Sequence, residues 1–284
     1  MSAISVANTD QREFWNDLKG GLWVEWQSRL DAMLGPFGEK AIEVLNPRPG
    51  ENVLEIGCGT GTATLAMAGR IGSTGRILAA DISHPMLQKA IARAAAAQEA
   101  PITFVEADAQ IHGFEQSEFD AVFSRFGVMF FENPIAAFQN ILGALRPSGR
   151  LAFVCWADRA DNPWVRIPVS VAKSYLELPP PPSDDVPGQF SMGNADRVRG
   201  ILSDAGWTDI KLERFNIDHS IGADLADATS FSCRMGPMSE PFAQADEATQ
   251  RKVTAAVQDA LKPYAGPDGV RLGFSTWIVT AVRS

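Results

Sequence analysis

Cysteine, histidine and clustered basic charge are all scarce in this chain of 284 residues. Its three cysteines, Cys58, Cys155 and Cys233, are odd in number, far apart and free of any CxxC spacing. That argues against a disulfide framework or a thiolate metal site and suits a reducing cytoplasm. The three histidines, His84, His112 and His219, show no metal-ligand spacing, so no metal is assigned. The opening MSAISVANTDQREFW lacks the basic start and apolar stretch of a secretory signal. No run of 18 apolar residues exists to cross a membrane. Lys and Arg number 25 against 34 Asp and Glu, a formal charge of −9. Nucleic acid requires clustered cations to displace its counterions, and none are clustered here, so no nucleic-acid partner is expected. The sign of the field suits a cationic ligand better.

What is present is ordinary for a globular protein. The apolar fraction is 45% and the charged fraction 21%, enough to bury a sizeable core. At roughly 100–200 residues per domain, the length fits one large domain or a domain with a lid. Asp10 to Leu34 reads as one or two helices carrying Phe14, Trp15, Trp23 and Trp26, and Pro36 to Leu45 as another. Strand and helix signals then alternate. Asn52–Ile56, Arg76–Ala80, Ile102–Val105, Phe119–Phe123 and Arg150–Cys155 read as strands. Thr60–Gly69, Ser83–Gln98 and Pro134–Leu145 read as helices, with Ser83 as an N-cap and Pro85 in the first turn. Such alternation implies an α/β fold with a mostly parallel sheet covered on both faces. After Trp156 the alternation stops. An insertion at 157–192 contains the run Pro179–Pro182, a helix spans Asn194–Gly206, a strand Thr208–His219, mostly helix 222–262, and a final strand Gly273–Val282. The expected organisation is an N-terminal helical lid at 1–35, a core at 36–156 and a C-terminal half at 157–284 with caps at 157–192 and 222–262.

The most informative stretch is Val53-Leu54-Glu55-Ile56-Gly57-Cys58-Gly59-Thr60-Gly61. A buried strand runs into a glycine turn that opens a helix. Glycines there let a ligand approach bare backbone, and the helix start points N–H groups at it. The dinucleotide pattern G-x-G-x-x-G would place its third glycine where Thr62 stands. Here the third glycine is Gly61, and the acidic Glu55 precedes the turn, which suits a ligand without a phosphate. Asp81 ends the second strand 24 positions after Gly57, where an acceptor-only carboxylate can take both ribose hydroxyls. Asp108 follows the third strand. Ligands of open α/β sheets bind outside the carboxyl ends of the strands, so Glu55, Asp81 and Asp108 should line one crevice. Three carboxylates and no lysine in these turns favour a nucleoside that bears a cation.

These residues, together with Glu106-Ala107-Asp108-Ala109, Phe119-Asp120-Ala121-Val122-Phe123-Ser124 and Leu145-Arg146-Pro147-Ser148-Gly149-Arg150-Leu151, resemble the motifs of class I S-adenosylmethionine-dependent methyltransferases. Over about 40–156 the style is similar to the ubiquinone/menaquinone-biosynthesis C-methyltransferases, with Ser148 standing where a glycine is usual. The resemblance implies a Rossmann-like seven-stranded sheet of order 3-2-1-4-5-7-6, strand 7 antiparallel, and S-adenosyl-L-methionine as cofactor. It implies that Gly57, Gly59 and Gly61 make room for the methionine part and ribose, with Glu55 shaping the turn. Asp81 would hold the ribose hydroxyls and Ile82 would pack on adenine. Asp108 would receive the adenine amino group, the Ala109 N–H would meet the ring, and Ser124 and Arg125 would sit at the mouth.

Methyl transfer from a sulfonium needs placement and exclusion of water more than a catalytic triad. A base matters only for an acceptor with a proton to lose, and His112, in the loop after the third strand, is the best candidate. His84 reads as a surface residue and His219 as a solvated strand end. Trp26 reads as core, and Trp15 as a lid over the sulfonium, since a cation on an aromatic face gains about 0.5–2 kcal/mol. Trp156, Trp164, Phe190, Met192, Phe231, Met235 and Met238 outside the sheet motifs suggest a small, partly hydrophobic methyl acceptor. The expected protein is a cytoplasmic small-molecule methyltransferase, monomer or homodimer. Two alternatives stand beside it: a non-catalytic S-adenosylmethionine sensor or scaffold, and an NAD-dependent oxidoreductase, against which Thr62 argues.

Overall fold

A computed structural model describes residues 7–96 and 101–284. The chain divides into two compact units. The first runs to Trp156 and adds Asp184–Arg214 and Trp277–Ser284; the second comprises Ala157–Ser183 and Phe215–Thr276.

The first unit opens with α1 (Thr9–Asn16), α2 (Leu18–Glu25) and α3 (Gln27–Leu45). It continues with β1 (Asn52–Ile56), α4 (Thr62–Ile71), β2 (Arg76–Asp81), α5 (His84–Ala95), β3 (Ile102–Glu106), β4 (Phe119–Arg125), α6 (Pro134–Ala144) and β5 (Leu145–Trp156). Positions 97 and 98, expected to end the helix of α5, lie outside the described residues. Next come α7 (Pro163–Ala172) of the second unit and α8 (Ala195–Asp204) of the first. Strand β6 (Thr208–Gly222) starts in the first unit and ends in the second, which then contains α9 (Leu225–Arg234), α10 (Ser239–Gln244), α11 (Glu247–Leu261) and the two-residue β7 (Ala265–Gly266). Strand β8 (Gly269–Val282) returns the chain to the first unit.

The sheet order is β3-β2-β1-β4-β5-β8-β6, with β7 paired to β8 off this path. Setting β7 aside, this is the order 3-2-1-4-5-7-6 that the sequence resemblance implies, with helices around a mostly parallel sheet. The pairs β2–β3, β1–β2, β1–β4 and β4–β5 are parallel. Register decides where the turns fall. Ile56 pairs with Ala80, Asp81 with Glu106, and Glu55 with Phe123. The segments after β1, β2, β3 and β4 therefore emerge at one edge of the sheet, where parallel strands bind their ligands. β1 can sit in the middle because Val53, Leu54, Glu55 and Ile56 are all buried, as expected of a strand covered on both faces.

Helix α3 corrects one expectation. It runs unbroken through Pro36, where a new helix was expected to start. Leu30, Met33, Leu34, Phe37, Ala41, Ile42 and Leu45 form one buried face at helical spacing on both sides of the proline. Burying that face outweighs the roughly 3 kcal/mol an interior proline costs. The C-terminus of α3 is closed from β5. Arg150 donates to the carbonyls of Leu45 (2.7 Å) and Asn46 (2.9 Å) and holds Glu51 at 2.6 and 2.9 Å. Burial alone would lift the Glu51 carboxyl, but the Arg150 bond, the Arg48 N–H and the Arg150 charge together hold it below its ordinary value.

In the second unit Asn162, fully buried, is the main cross-link. Its Nδ2 donates to the carbonyls of Ala157, Asp158 and Ser275, and its Oδ1 accepts from Ser275 N–H and Trp164 Nε1. Trp164 stacks on Phe274 at 5.2 Å, and His219 lies half-buried, edge-on to the same ring. Val253, Val257 and Leu261 give α11 its buried stripe.

Candidate functional site

The turn after β1 is built by three glycines in left-handed backbone, and each meets a different constraint. A Cβ on Gly57 (φ 69°) would come within 2.8 Å of the Gly127 Cα, and one on Gly61 (φ 84°) within 3.0 Å of the Ala90 side chain. Those two are required by packing. A Cβ on Gly59 (φ 56°) would meet nothing within 4 Å, so its face opens on free space. No side chain caps α4, which leaves the N–H groups of its first turn for other acceptors.

Asp81, 5% exposed, closes this turn from below. Its carboxylate accepts from Gly59 N–H at 2.6 Å and from Ser83 N–H at 2.8 Å. Burial lifts its pKa to about 6, against the pull of the N–H groups of Ser83, Gly59 and Ile82. Glu55 lies deeper, 1% exposed, and accepts from Thr64 Oγ1 at 2.5 Å. Burial pushes its pKa to about 8, opposed by that bond and by the charge of Arg125. Burial therefore favours the neutral form of Glu55, which serves as a buried anchor between β1 and α4.

Asp108, also 5% exposed, is held differently. Asn8 Nδ2 donates to both of its oxygens at 2.8 and 2.9 Å, and Gln110 N–H donates to Oδ1 at 2.9 Å. The next residue, Ala109, is buried, and its carbonyl accepts from Asn140 Nδ2 at 2.9 Å. Its N–H has no acceptor among the described residues. Asp108 and Ala109 thus set an acidic acceptor beside an open donor at one strand end.

Helix α1 lies across the β2 turn. Ser83 Oγ donates to the Trp15 carbonyl at 2.7 Å instead of capping α5, which corrects the expected cap. Asn16 donates to the Ile82 carbonyl at 2.9 Å and accepts from His84 N–H at 2.8 Å. Ile82 is half-buried, and Trp15 is half-buried in edge contacts with Phe14, Trp23 and Phe130. Trp26 is half-buried with the Arg29 guanidinium over its ring, not in the core, because α2 ends at Glu25 and α3 begins only at Gln27. His84 is exposed and paired with Glu106 at 2.8 Å. His112 is half-buried with its ring edge-on to Phe114 at 4.8 Å, and its carbonyl accepts from Asn140.

The end of β4 completes the site. Ser124, fully buried, donates to the Ile56 carbonyl at 2.7 Å and accepts from Gly127 N–H at 3.2 Å, which ties the β4 turn to the β1 turn. Between them Phe126 adopts φ 60° and stacks on Trp156 at 4.5 Å. A bulky residue in left-handed backbone is strained, and such strain collects at functional turns.

Sequence reasoning missed a polar cluster beside the glycine turn. Asp31 of α3 accepts from Thr62 Oγ1 at 2.5 Å and pairs with Arg93 at 3.2 Å and Arg125 at 3.7 Å. Arg93 also donates to the Thr60 carbonyl at 2.7 Å and to Thr62 at 2.9 Å. Burial lowers the Arg125 guanidinium pKa, and the charges of Asp31 and Glu55 oppose it. Arg125 alone had a signal, its place after Ser124; Asp31 and Arg93 sit on separate helices with no spacing to connect them.

The residues present fit an adenosyl ligand: open backbone over Gly59, a buried ribose-type acceptor at Asp81, and an acceptor–donor pair at Asp108 and Ala109. Residues 53–149 match the family model described as a methyltransferase domain. The aklanonic acid methyltransferase DauC of a Streptomyces strain is 31% identical over 127 residues, 45% of this chain and 58% of that protein. The ubiquinone/menaquinone biosynthesis C-methyltransferase UbiE of Ectopseudomonas mendocina is 37% identical over 126 residues, 43% of this chain and 48% of that protein. The matched stretch spans less than two thirds of the length of these curated relatives. Among solved structures, phosphoethanolamine N-methyltransferase 2 of Haemonchus contortus, in complex with S-adenosyl-L-methionine, superposes with a TM-score of 0.57 at 17% identity, covering 100% of this chain and 61% of that one. That likeness carries the fold. Among the described residues no helix is long and apolar enough to cross a membrane. The methyltransferase-domain match over residues 53–149, the sheet order and the glycine turn agree in supporting a class I S-adenosylmethionine-dependent methyltransferase.

Proposed function

We propose that the protein transfers a methyl group to a small, partly hydrophobic acceptor. The observation that carries this reading is the turn itself: Gly59, open to free space, donates its N–H to a buried carboxylate at Asp81 that is held by backbone donors alone. Among the described residues no lysine or arginine pairs with Asp81, so its oxygens keep acceptor capacity for neutral hydroxyl donors. When bound, S-adenosylmethionine supplies a methyl group already activated on a cationic sulfur, so in-line displacement asks the protein for position and dryness.

The chain's residues divide that work. Asp81 accepts the ribose hydroxyls, and Gly57, Gly59 and Gly61 keep the backbone close to the ligand. Ile82 packs on the base, Asp108 and the Ala109 N–H read its edge, and Ser124 fixes the β4 turn beside the β1 turn. Trp15 lies within an aromatic group able to shield a cation. His112 serves as base where the acceptor has a proton to lose. Nothing in the site requires a membrane or a nucleic acid.

The test is direct. Native mass spectrometry of the purified protein should show S-adenosylmethionine or S-adenosylhomocysteine, and a panel of phenols and acidic carbon acids should yield S-adenosylhomocysteine with at least one member. A protein that binds the nucleoside but turns over no acceptor would be a sensor or scaffold. A protein that binds NAD instead would overturn the reading altogether.

A further inference from the structure

Asn8 precedes α1 and is 4% exposed, with left-handed backbone at φ 53°. Its carboxamide is fully engaged. Nδ2 donates to both oxygens of Asp108 at 2.8 and 2.9 Å and lies 3.3 Å from Gln110 Oε1. Oδ1 accepts from Glu132 N–H at 2.6 Å, and the Asn8 N–H donates to Glu132 Oε2 at 2.9 Å. A carboxamide presents an NH2 donor beside an acceptor, the same pattern that the amino edge of adenine presents; this equivalence lets Asn and adenine pair in nucleic-acid recognition.

We propose that Asn8 is an internal stand-in for the adenine edge: the N-terminal strap covers Asp108 until the nucleoside's amino group displaces it. The inference rests on the reading of Asp108 as the acid that faces adenine. Three observations support exchange over permanent attachment. First, the pair is half closed: Asp108 is covered by Asn8 while the Ala109 N–H beside it is open. Second, Asn8 sits in left-handed backbone, a small cost that is released when the strap leaves. Third, a cavity of about 560 Å³ lined in part by Ala7, Gln110 and Glu132 adjoins the strap and gives it room to move aside. The further anchors of α1, Trp15 on Ser83 and Asn16 on Ile82, need not break.

A strap that must leave lowers apparent affinity by the fraction of molecules in which the site is open. Titration calorimetry with S-adenosylhomocysteine on wild type, Asn8→Ala, Asp108→Ala and the double variant tests this. Asn8→Ala should bind about 5–10-fold tighter, Asp108→Ala more weakly, and Asn8→Ala should have no effect in the Asp108→Ala background. If Asn8→Ala binds equally or more weakly while Asp108→Ala is impaired, the strap is wrong and the adenine reading stands. If Asp108→Ala binds like wild type, the adenine reading itself fails. Should either variant misfold, hydrogen exchange of the wild-type protein decides. The Asn8 amide should lose protection when S-adenosylhomocysteine is added; gained or unchanged protection overturns the proposal.

Discussion

Asp81 and Asp108 stand at the ends of neighbouring parallel strands and are equally buried, yet they are secured in opposite ways. Asp81 is held by backbone N–H groups of Gly59 and Ser83, from the turn after the adjacent strand and from its own turn. Asp108 is held mostly by a side chain 100 positions earlier in the chain. Backbone donors fixed by strand register cannot leave without unfolding the turn. A side-chain amide on a segment outside the sheet can be exchanged. On the proposed reading, the first carboxylate is pre-organised for a ligand and the second is occupied by a substitute for one.

The sharpest way to break this comparison is at Asp81. Asp81→Ala should weaken S-adenosylhomocysteine binding by about 100-fold, near 2.7 kcal/mol, because ribose loses its acceptor and two turn N–H groups lose theirs. The wild-type affinity should also depend on acidity. With its pKa raised to about 6, Asp81 takes up a proton as pH falls through 6 and ceases to be acceptor-only. Affinity measured by calorimetry should hold above pH 7 and drop toward tenfold per unit below 6, whereas Asp81→Asn should give a flat profile. A flat wild-type profile would mean the acid does not meet the ligand.

Glu55 sharpens the contrast from the stability side. Its folded pKa of about 8 exceeds the ordinary 4.5, so folding binds a proton. The contribution of this group is fully present below about 4.5 and is lost as pH rises toward 8. Glu55→Gln keeps a partner for Thr64 and removes that slope. Its melting temperature should match wild type near pH 4 and exceed it at pH 9, by up to about 5 kcal/mol in stability. Equal melting curves at pH 9 would show that Glu55 is ionised at no cost.

The smallest effect is expected at Ser148, which adopts φ 63° at the irregularity early in β5, between Leu145 and Arg150, and donates its N–H to the Arg283 carbonyl at 2.9 Å. Ser148→Gly should relieve the left-handed strain and stabilise by about 0.5–1 kcal/mol, read as a small rise in melting temperature. No change would mean the turn adapts to the side chain.

Much of the site was legible because its signals are local. The glycines lie within five residues, the strand that feeds them is continuous, and Asp81 ends the next strand, so spacing alone carries them. Ser83 and Pro36 misled for the same reason: each is a local signal that a tertiary contact overrode. The Ser83 hydroxyl went to Trp15, and the apolar face of α3 carried the helix through its proline. Asp31 and Arg93, which meet Arg125, and the bond from Asn8 to Asp108 had no local signal at all.

By itself the sequence determined a mostly parallel sheet and the bare backbone over Gly59, since strand alternation and glycine placement act over a few residues; the order of the strands came only through the family resemblance. Only the tertiary structure decided which distant side chains meet at the strand ends. Burial sets that choice: an acid driven into low dielectric must find a donor, and whether a backbone N–H or a side chain 100 residues away supplies it depends on register and on how the N-terminal segment packs.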